Sequence, residues 1–459
     1  METQLFNLTH TKRFLERYHA DPDFREQVST DPYRAIIHYN LKIDLEEIKT
    51  LCDTELSQES ENKLSDSNFL RSYWELAEKI RPQRIRSIAN SPTNSDFKAW
   101  RSRQIARTES QFIKPVHDSI IHAPVCFELN KGCSVGCWFC GVAAPRLSDI
   151  FFYTPENAQL WREVLELIKE LLGEAAGAGF CYWATDPLDN PDYEKFCSDF
   201  YEVLGMFPQT TTAQPLKDPS RTRSLLKLAG EKGCPLDRFS ILSLKMFNQV
   251  HEEFSAEELA FVKLALQNEG SNTTKAEAGR TRKRNLKKAD KDSKIPYQGT
   301  IACVTGFLFN MVDRSVKLIS PCNADDRWPL GYIVYDEGTF SDTNELKILL
   351  ERMISDNMPS TIRPNELISF RSDLKFESLS DGFQLSTNLK NFRFCYDFYL
   401  NELGEIIHKG GKTAEEIASI FDNRGVLPAY TFHNLNLMLE KGVLDDQPKS
   451  KLSEILVAN

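Results

Sequence analysis

Residues 123–141 read Ala123-Pro-Val-Cys-Phe-Glu-Leu-Asn-Lys-Gly-Cys-Ser-Val-Gly-Cys-Trp-Phe-Cys-Gly141, an apolar run followed at once by three cysteines. Ala123–Leu129 has the length and composition of a buried strand. Cys133, Cys137 and Cys140 follow it in a loop, at spacings of four and three. Three thiolates so placed hold three irons of a [4Fe–4S] cube and leave the fourth iron open. A zinc site would want a fourth ligand nearby. His122 lies on the far side of the strand and Cys126 in its middle, so neither is a natural fourth ligand.

Downstream of the cysteines, helix and strand patterns alternate. Thr154 caps a helix with Pro155 at its first position, and Leu160, Val164, Leu167, Ile168, Leu171 and Leu172 share one face. Strand Phe180–Ala184 follows, then a helix through Phe196 and Phe200, strand Thr210–Ala213 and a helix over 220–230. Next come strand Phe239–Ser243 and a helix Ala256–Leu266 capped by Ser255. Strands Thr300–Val304, Gly306–Met311 and Val316–Ser320 complete the series. Repeated βα units predict a parallel sheet with helices outside, open or closed into a barrel.

Both flanks break this alternation. The N-terminal part reads as short helices (Leu5–Tyr18, Asp23–Gln27, Pro32–Tyr39, Leu45–Cys52), with Asp21-Pro22 and Asp31-Pro32 at the joints. A polar loop over 53–66, a helix Ser67–Ile80 and a linker over 82–95 follow. The tail suggests a hairpin, Leu374–Leu379 with Gly382–Leu385, then helices Tyr396–His408, Thr413–Phe421 and Tyr430–Lys441. That order is a winged-helix arrangement. The expected domains are a helical region over 1–95, an α/β domain over 96–345 and a winged-helix-like domain over 346–459.

A net charge of −10 speaks against bulk affinity for nucleic acid. No apolar run approaches the roughly 18 residues of a membrane span. The opening Met1-Glu-Thr-Gln-Leu5 lacks the basic and apolar regions of a secretory signal. The expectation is a cytoplasmic protein with reduced thiols, without a membrane or nucleic-acid partner. One local exception stands out: Lys275–Lys294 holds nine Lys/Arg against three Asp/Glu. It reads as a solvated, disordered insertion over 270–295, or as a basic flap that steers an acidic partner.

The cysteine spacing, with Phe139 before the last Cys, resembles the signature of the radical S-adenosylmethionine superfamily over about residues 120–325. The resemblance implies a partial (β/α)6 barrel, α/β in class. It also implies one [4Fe–4S] cluster on Cys133, Cys137 and Cys140, and S-adenosylmethionine chelated by the open iron. Reduction by an external donor such as flavodoxin or ferredoxin then yields a 5′-deoxyadenosyl radical, and the protein aims it. Where that superfamily usually has Gly-Gly-Glu-Pro, this chain has Ala184-Thr-Asp-Pro187, so Thr185 and Asp186 are the expected contacts to the cofactor's ammonium. Phe139 is counted with the cofactor-binding residues. Gln214 and Ser243, at the ends of the third and fourth strands, are expected to meet its carboxylate or ribose.

Gly306–Tyr332, with Cys322 inside it, is similar to the radical epimerases that introduce D-residues into ribosomally made peptides, the proteusin type. This resemblance implies that Cys322 is the thiol that returns hydrogen to the opposite face of a Cα, two groups being needed on opposite sides of one centre. The partner implied is a precursor peptide of leader plus core. Residues 365–459 resemble winged helices that bind a leader as an added strand. Residues 20–37 are similar to such leaders themselves, either filling a docking groove or capping the barrel. Other radical modifications, a thioether or carbon–carbon crosslink, and a non-catalytic leader-binding adaptor are the alternatives.

Overall fold

The computed structural model describes residues 2–39, 41–43, 81–234, 237–273, 275–288, 299–395 and 397–448. The expected helices Leu45–Cys52 and Ser67–Ile80 and the loop 53–66 lie outside these residues.

Three helices open the chain: α1 (Glu2–Ala20), α2 (Pro22–Thr30) and α3 (Pro32–His38). Their joints form as the sequence predicts. Asp21 accepts from the amides of Asp23 and Phe24, and Asp31 from that of Arg34, each ahead of a helix-starting proline. Phe14, Phe24, Val28, Ala35 and Ile36 make a small core of their own. The first part of the expected linker 82–95 forms helix α4 (Arg81–Ala89), and α5 (Ser95–Gln111) and α6 (Lys114–Ser119) lead into the sheet.

Strand β1 (Ala123–Glu128) is followed by the paired β2 (Asn130–Lys131) and β3 (Asp149–Ile150), which bracket the cysteine loop. Helices α7 (Pro155–Leu172) and α8 (Tyr193–Leu204), strand β4 (Thr211–Thr212), α9 (Pro219–Glu231), β5 (Asp237–Ile241), α10 (Leu244–Glu253) and β6 (Val262–Leu266) come next. After helix α11 (Gly279–Lys288) run β7 (Val304–Asn310), β8 (Ser315–Pro321), β9 (Tyr332–Thr339) and α12 (Thr343–Asn357).

The architecture is mixed α/β, and the described strands do not close into a barrel. One sheet has the order β1-β7-β8-β9, with only β1 and β7 parallel; a second has the parallel order β4-β5-β6. Between them the expected strand Phe180–Ala184 contributes a single bridge, Phe180 to Cys126. Two further expectations change. Val262, Leu264 and Leu266 are buried in alternation, so the end of Ala256–Leu266 is a strand and not a helix. The sequence 300–303 stays outside β7, which begins at Val304.

The two faces of the first sheet differ. Phe127, Phe307, Phe309, Val316 and Leu318 pack with Trp100, Trp161 and Phe196 under α5, α7 and α8. On the other face Cys126, Phe180, Leu308 and Ile319 meet Tyr182, Trp183, Cys303 and Tyr332. Gly306 is what lets β7 lie so close to β1: at φ +154° its Cβ would stand 2.0 Å from the Pro124 carbonyl oxygen.

Helix α12, which straddles the expected boundary at 345/346, buries Leu346, Leu350 and Met353 in the α/β core. A separate core begins at Ile362. It holds β10 (Leu367–Ile368), a meander of β11 (Lys375–Leu379), β12 (Gly382–Ser386) and β13 (Asn391–Cys395), then α13 (Leu400–Lys409), β14 (Lys412–Thr413), α14 (Ala414–Asp422) and α15 (Pro428–Glu440). The expected hairpin is thus three strands, and the capping box at Thr413 and Glu416 forms in full.

Candidate active site on the cysteine loop

Cys133, Cys137 and Cys140 lie half-buried on the loop between β2 and β3. The turn depends on glycine. Gly132 and Gly136 have φ of +86° and +68°, and a Cβ on Gly132 would stand 2.3 Å from the Arg146 carbonyl oxygen. The Cys133 amide donates to Pro145 O at 2.9 Å, and the Leu147 amide to Cys133 O at 3.1 Å.

Two amides point at sulfur, Val135 N–H at Cys133 Sγ (3.4 Å) and Ala144 N–H at Cys140 Sγ (3.3 Å). Burial, then the neighbouring Cys133 and Cys140 thiols, pushes the Cys137 thiol up to about 11. The Cys137 thiol therefore feels the other two. Among the described residues, no group of three or more His, Cys, Asp or Glu is gathered to hold a single metal ion. A cube spreads its thiolates over separate irons, so its ligands stand wider apart than those of one ion. Half-buried thiols on one short loop, with amide N–H groups directed at sulfur, fit such a cube.

The loop is fastened on two sides. On one, Asp189 accepts from Ser134 Oγ at 2.6 Å, Ser134 N at 2.9 Å and Gln214 Nε2 at 2.9 Å, with Lys217 Nζ at 3.5 Å. Burial alone would raise this carboxyl; the Ser134 and Gln214 donors outweigh it and hold it below the usual range. On the other side sits the basic segment. It is not a disordered insertion over 279–288: it is helix α11, and it grips the loop by main-chain oxygens. Arg280 donates through its guanidinium to Cys137 O (2.8 Å) and to Ala144 O, and through its amide to Cys140 O (2.9 Å). Thr281 Oγ1 donates to Phe139 O at 3.0 Å, and the Gly279 amide to Pro329 O at 2.8 Å.

The other expected contacts divide. Asp186 is buried, and its carboxylate is already engaged by Thr212 Oγ1 (2.8 Å), Ala213 N (2.7 Å) and Leu188 N (3.1 Å). It ties the end of β4 to the turn after residue 184. Thr185 Oγ1 accepts from Asn130 Nδ2 at 2.9 Å. Asp186 and Asp189 both lie near enough to Cys133 to act on its thiol, after burial. Thr185, Asp186 and Gln214 are thus gathered beside the loop. Ser243 is used differently: its hydroxyl caps α10, accepting from Met246 N at 3.1 Å. The Phe139 and Trp138 rings stand perpendicular, with centroids 5.4 Å apart.

Cys322, the expected hydrogen donor, lies on the helix-covered face of the first sheet. Ser320, Cys322 and Ile333 follow Leu318 in strand parity, so Cys322 is buried in the helix-covered core. Its neighbour there is Arg107 of α5, which donates to Ser320 Oγ and Pro321 O, both at 2.8 Å. Cys303, by contrast, packs on the inner face with Cys126, Tyr182, Trp183 and Tyr332.

No family model matches the chain. It is 36% identical over 454 residues to the uncharacterized protein y4wI of Sinorhizobium fredii (strain NBRC 101917 / NGR234), covering 96% of this chain and 87% of that one. The chain belongs to the y4wI family. Part of it also aligns with the crystal structure of BtrN in complex with AdoMet and 2-DOIA, over 31% of this chain and 55% of that one. At 15% identity and a TM-score of 0.24, that likeness carries no argument.

Sequence reasoning missed two carboxylates of this y4wI-family site. Asp189 lies three residues beyond Asp186, in no motif. Glu128 ends β1 on the inner face, where Ala184 N (2.8 Å) and Asn310 Nδ2 (3.1 Å) donate to it. Burial raises its pKa, against those two donors. Its signal was a lone acid closing an apolar strand, directly ahead of the cysteines.

Among the described residues no helix is long and apolar enough to cross a membrane.

Proposed function

We propose that this protein is a radical S-adenosylmethionine enzyme that converts L- to D-residues in a ribosomally made precursor peptide. The observation that carries the reading is the cysteine loop at the end of β1. Three thiols stand at C-x3-C-x2-C, with amide N–H groups directed at two of the sulfurs. In this reading Cys133, Cys137 and Cys140 would hold a [4Fe–4S] cluster, with S-adenosylmethionine on its open iron. Bound there, the pair supplies a carbon-centred radical able to take a hydrogen atom from a peptide Cα.

The chain's own residues do the rest. Glu128 offers a second carboxylate next to Ala184-Thr-Asp, held by Ala184 N and Asn310 Nδ2 as Asp186 is held by β4. Asp189 and Gln214 keep the loop in register with the strand ends. The hydrogen returned to Cα comes from Cys303 instead of Cys322, since of these two Cys303 stands on the inner face, while the Cys126 thiol there is held by Tyr182 O. Burial pushes the Cys303 thiol up to about 11, despite Arg238, so it keeps its hydrogen at neutral pH. The three-stranded meander followed by three helices in the tail supports leader recognition by strand addition.

The test is co-production with a precursor peptide in D2O, followed by chiral amino-acid analysis. Deuterium on each inverted Cα is expected. Cys303→Ala should abolish D-residues while leaving deoxyadenosine formation, and Cys322→Ala should leave both. Normal inversion by Cys303→Ala together with loss in Cys322→Ala would return the donor role to Cys322. Deoxyadenosine from a variant with all three loop cysteines changed to Ala would overturn the whole reading.

A further inference from the structure

We propose that the outer face of α11, together with Trp138, is the docking surface for an acidic one-electron carrier protein of the flavin or iron–sulfur class. The inference rests on the reading of Cys133, Cys137 and Cys140 as cluster ligands, and deepens it by locating where the reductant binds.

Charge is the first support. Helix α11 has the sequence GRTRKRNLKK, with no acidic residue, in a chain of net charge −10. Lys283, Arg284 and Lys287 are exposed. Arg282 is matched by Asp326 at 2.6 Å, and Glu277, just ahead of the helix, is held by Asn285 at 2.7 Å. The face that remains is positive, and a carrier with an acidic surface is drawn to it over about a Debye length, roughly 8–10 Å at ordinary salt.

Position is the second. The same helix holds the oxygens of Cys137, Phe139, Cys140 and Ala144, so a protein seated on it is brought against the cysteine loop. Trp138, between two of the thiols, is 46% exposed, and the Arg284 guanidinium lies 4.2 Å above its ring. Leu286, 60% exposed, adds an apolar contact on the helix. A small polar patch with one aromatic at its edge suits a weak, fast-exchanging electron-transfer encounter, which needs steering more than area. In that encounter one electron leaves the reduced carrier and enters the cluster, and no bond is made or broken. A precursor peptide would instead need the inner face.

The test uses the anaerobically reconstituted full chain and an oxidised flavodoxin of net negative charge, titrated by calorimetry at low and raised salt. The combined variant Lys283→Glu, Lys287→Glu leaves Arg280, the Arg284–Trp138 contact and the loop untouched. Binding by the unaltered protein should weaken as salt rises, and the variant should bind roughly tenfold more weakly or worse. Its iron–sulfur absorption, and bleaching of that absorption by dithionite, should be unchanged. Equal affinity of variant and unaltered protein would overturn the inference alone. So would unchanged flavodoxin binding with lost affinity for an acidic peptide or an RNA, either of which would then own the surface. Failure of the unaltered protein to gain iron–sulfur absorption would overturn the ligand reading, and the inference with it.

Discussion

Replacing Asp189 by Ala should loosen the cysteine loop without unfolding the domain around it. The side chain receives Ser134 Oγ at 2.6 Å, Ser134 N at 2.9 Å and Gln214 Nε2 at 2.9 Å. Hydrogen bonds to a charged acceptor are worth about 1.5–3 kcal/mol each. Ser134 is exposed, so water replaces much of what its two donors lose; Gln214, half-buried, is compensated less. A net local cost of about 2 kcal/mol follows, equivalent to a roughly thirtyfold rise in loop opening. The assay is amide hydrogen exchange at Cys133, Leu147 and Ser148, whose amides close the loop. All three should exchange roughly thirtyfold faster, while β7 and β8 stay protected. Unchanged exchange in the loop would refute the tether. A uniform rise across β7 and β8 would show that Asp189 acts on the whole domain instead. Iron retention after reconstitution should fall in Asp189→Ala and largely recover in Asp189→Asn, which keeps an acceptor for Ser134.

Burial pushes the Asp237 carboxyl up to about 6, against the Thr210 and Cys234 donors. Its folded pKa thus exceeds its unfolded value of about 3.9. The stability it contributes is fully present below the unfolded value and is lost as pH rises through 6. Thermal melts should therefore show Asp237→Asn flattening the pH dependence between 4 and 7; an unchanged slope would rule this group out. Gly306→Ala forces a Cβ to within 2.0 Å of a strand carbonyl at a left-handed φ. It should cost about 3 kcal/mol or more, seen as insolubility or a clear drop in melting temperature. Trp161→Ala removes a fully buried ring packed on Phe127 and Phe196 and should cost about 3–5 kcal/mol in denaturant melts.

Elements with local punctuation were legible in the sequence. Thr154-Pro155 and Thr413 declare their helices by capping chemistry, and the caps form. The stretch Ala256–Leu266 was misread because Glu257, Glu258 and Leu259 favour helix while the strand occupies only the last five residues. Its alternation is too short to outweigh that propensity before β5 is seen beside it. For Cys322 the strand was foreseen but not the face, which is set by pairing with β7 and β9. Cys133, Cys137 and Cys140 stand out in the sequence because three cysteines at such spacing are carried by side chains. Asp189 and α11 do not. Asp189 serves a tertiary contact, and the partners of α11 are carbonyl oxygens, which every residue carries.

That last point bears on how the loop tolerates change. Helix α11 holds Cys137, Phe139, Cys140 and Ala144 by their oxygens alone, and a Cβ on Gly279 would fall 2.3 Å from Gly141 O. The grip is blind to the side chains it supports. Val135 and Val142 are therefore free to be exchanged for other residues without loosening the loop, whereas Gly279 and Arg280 are not, and Trp138, under the Arg284 guanidinium, is held by its ring as well. Support and chemistry reside in separate positions, so one can drift while the other stays fixed.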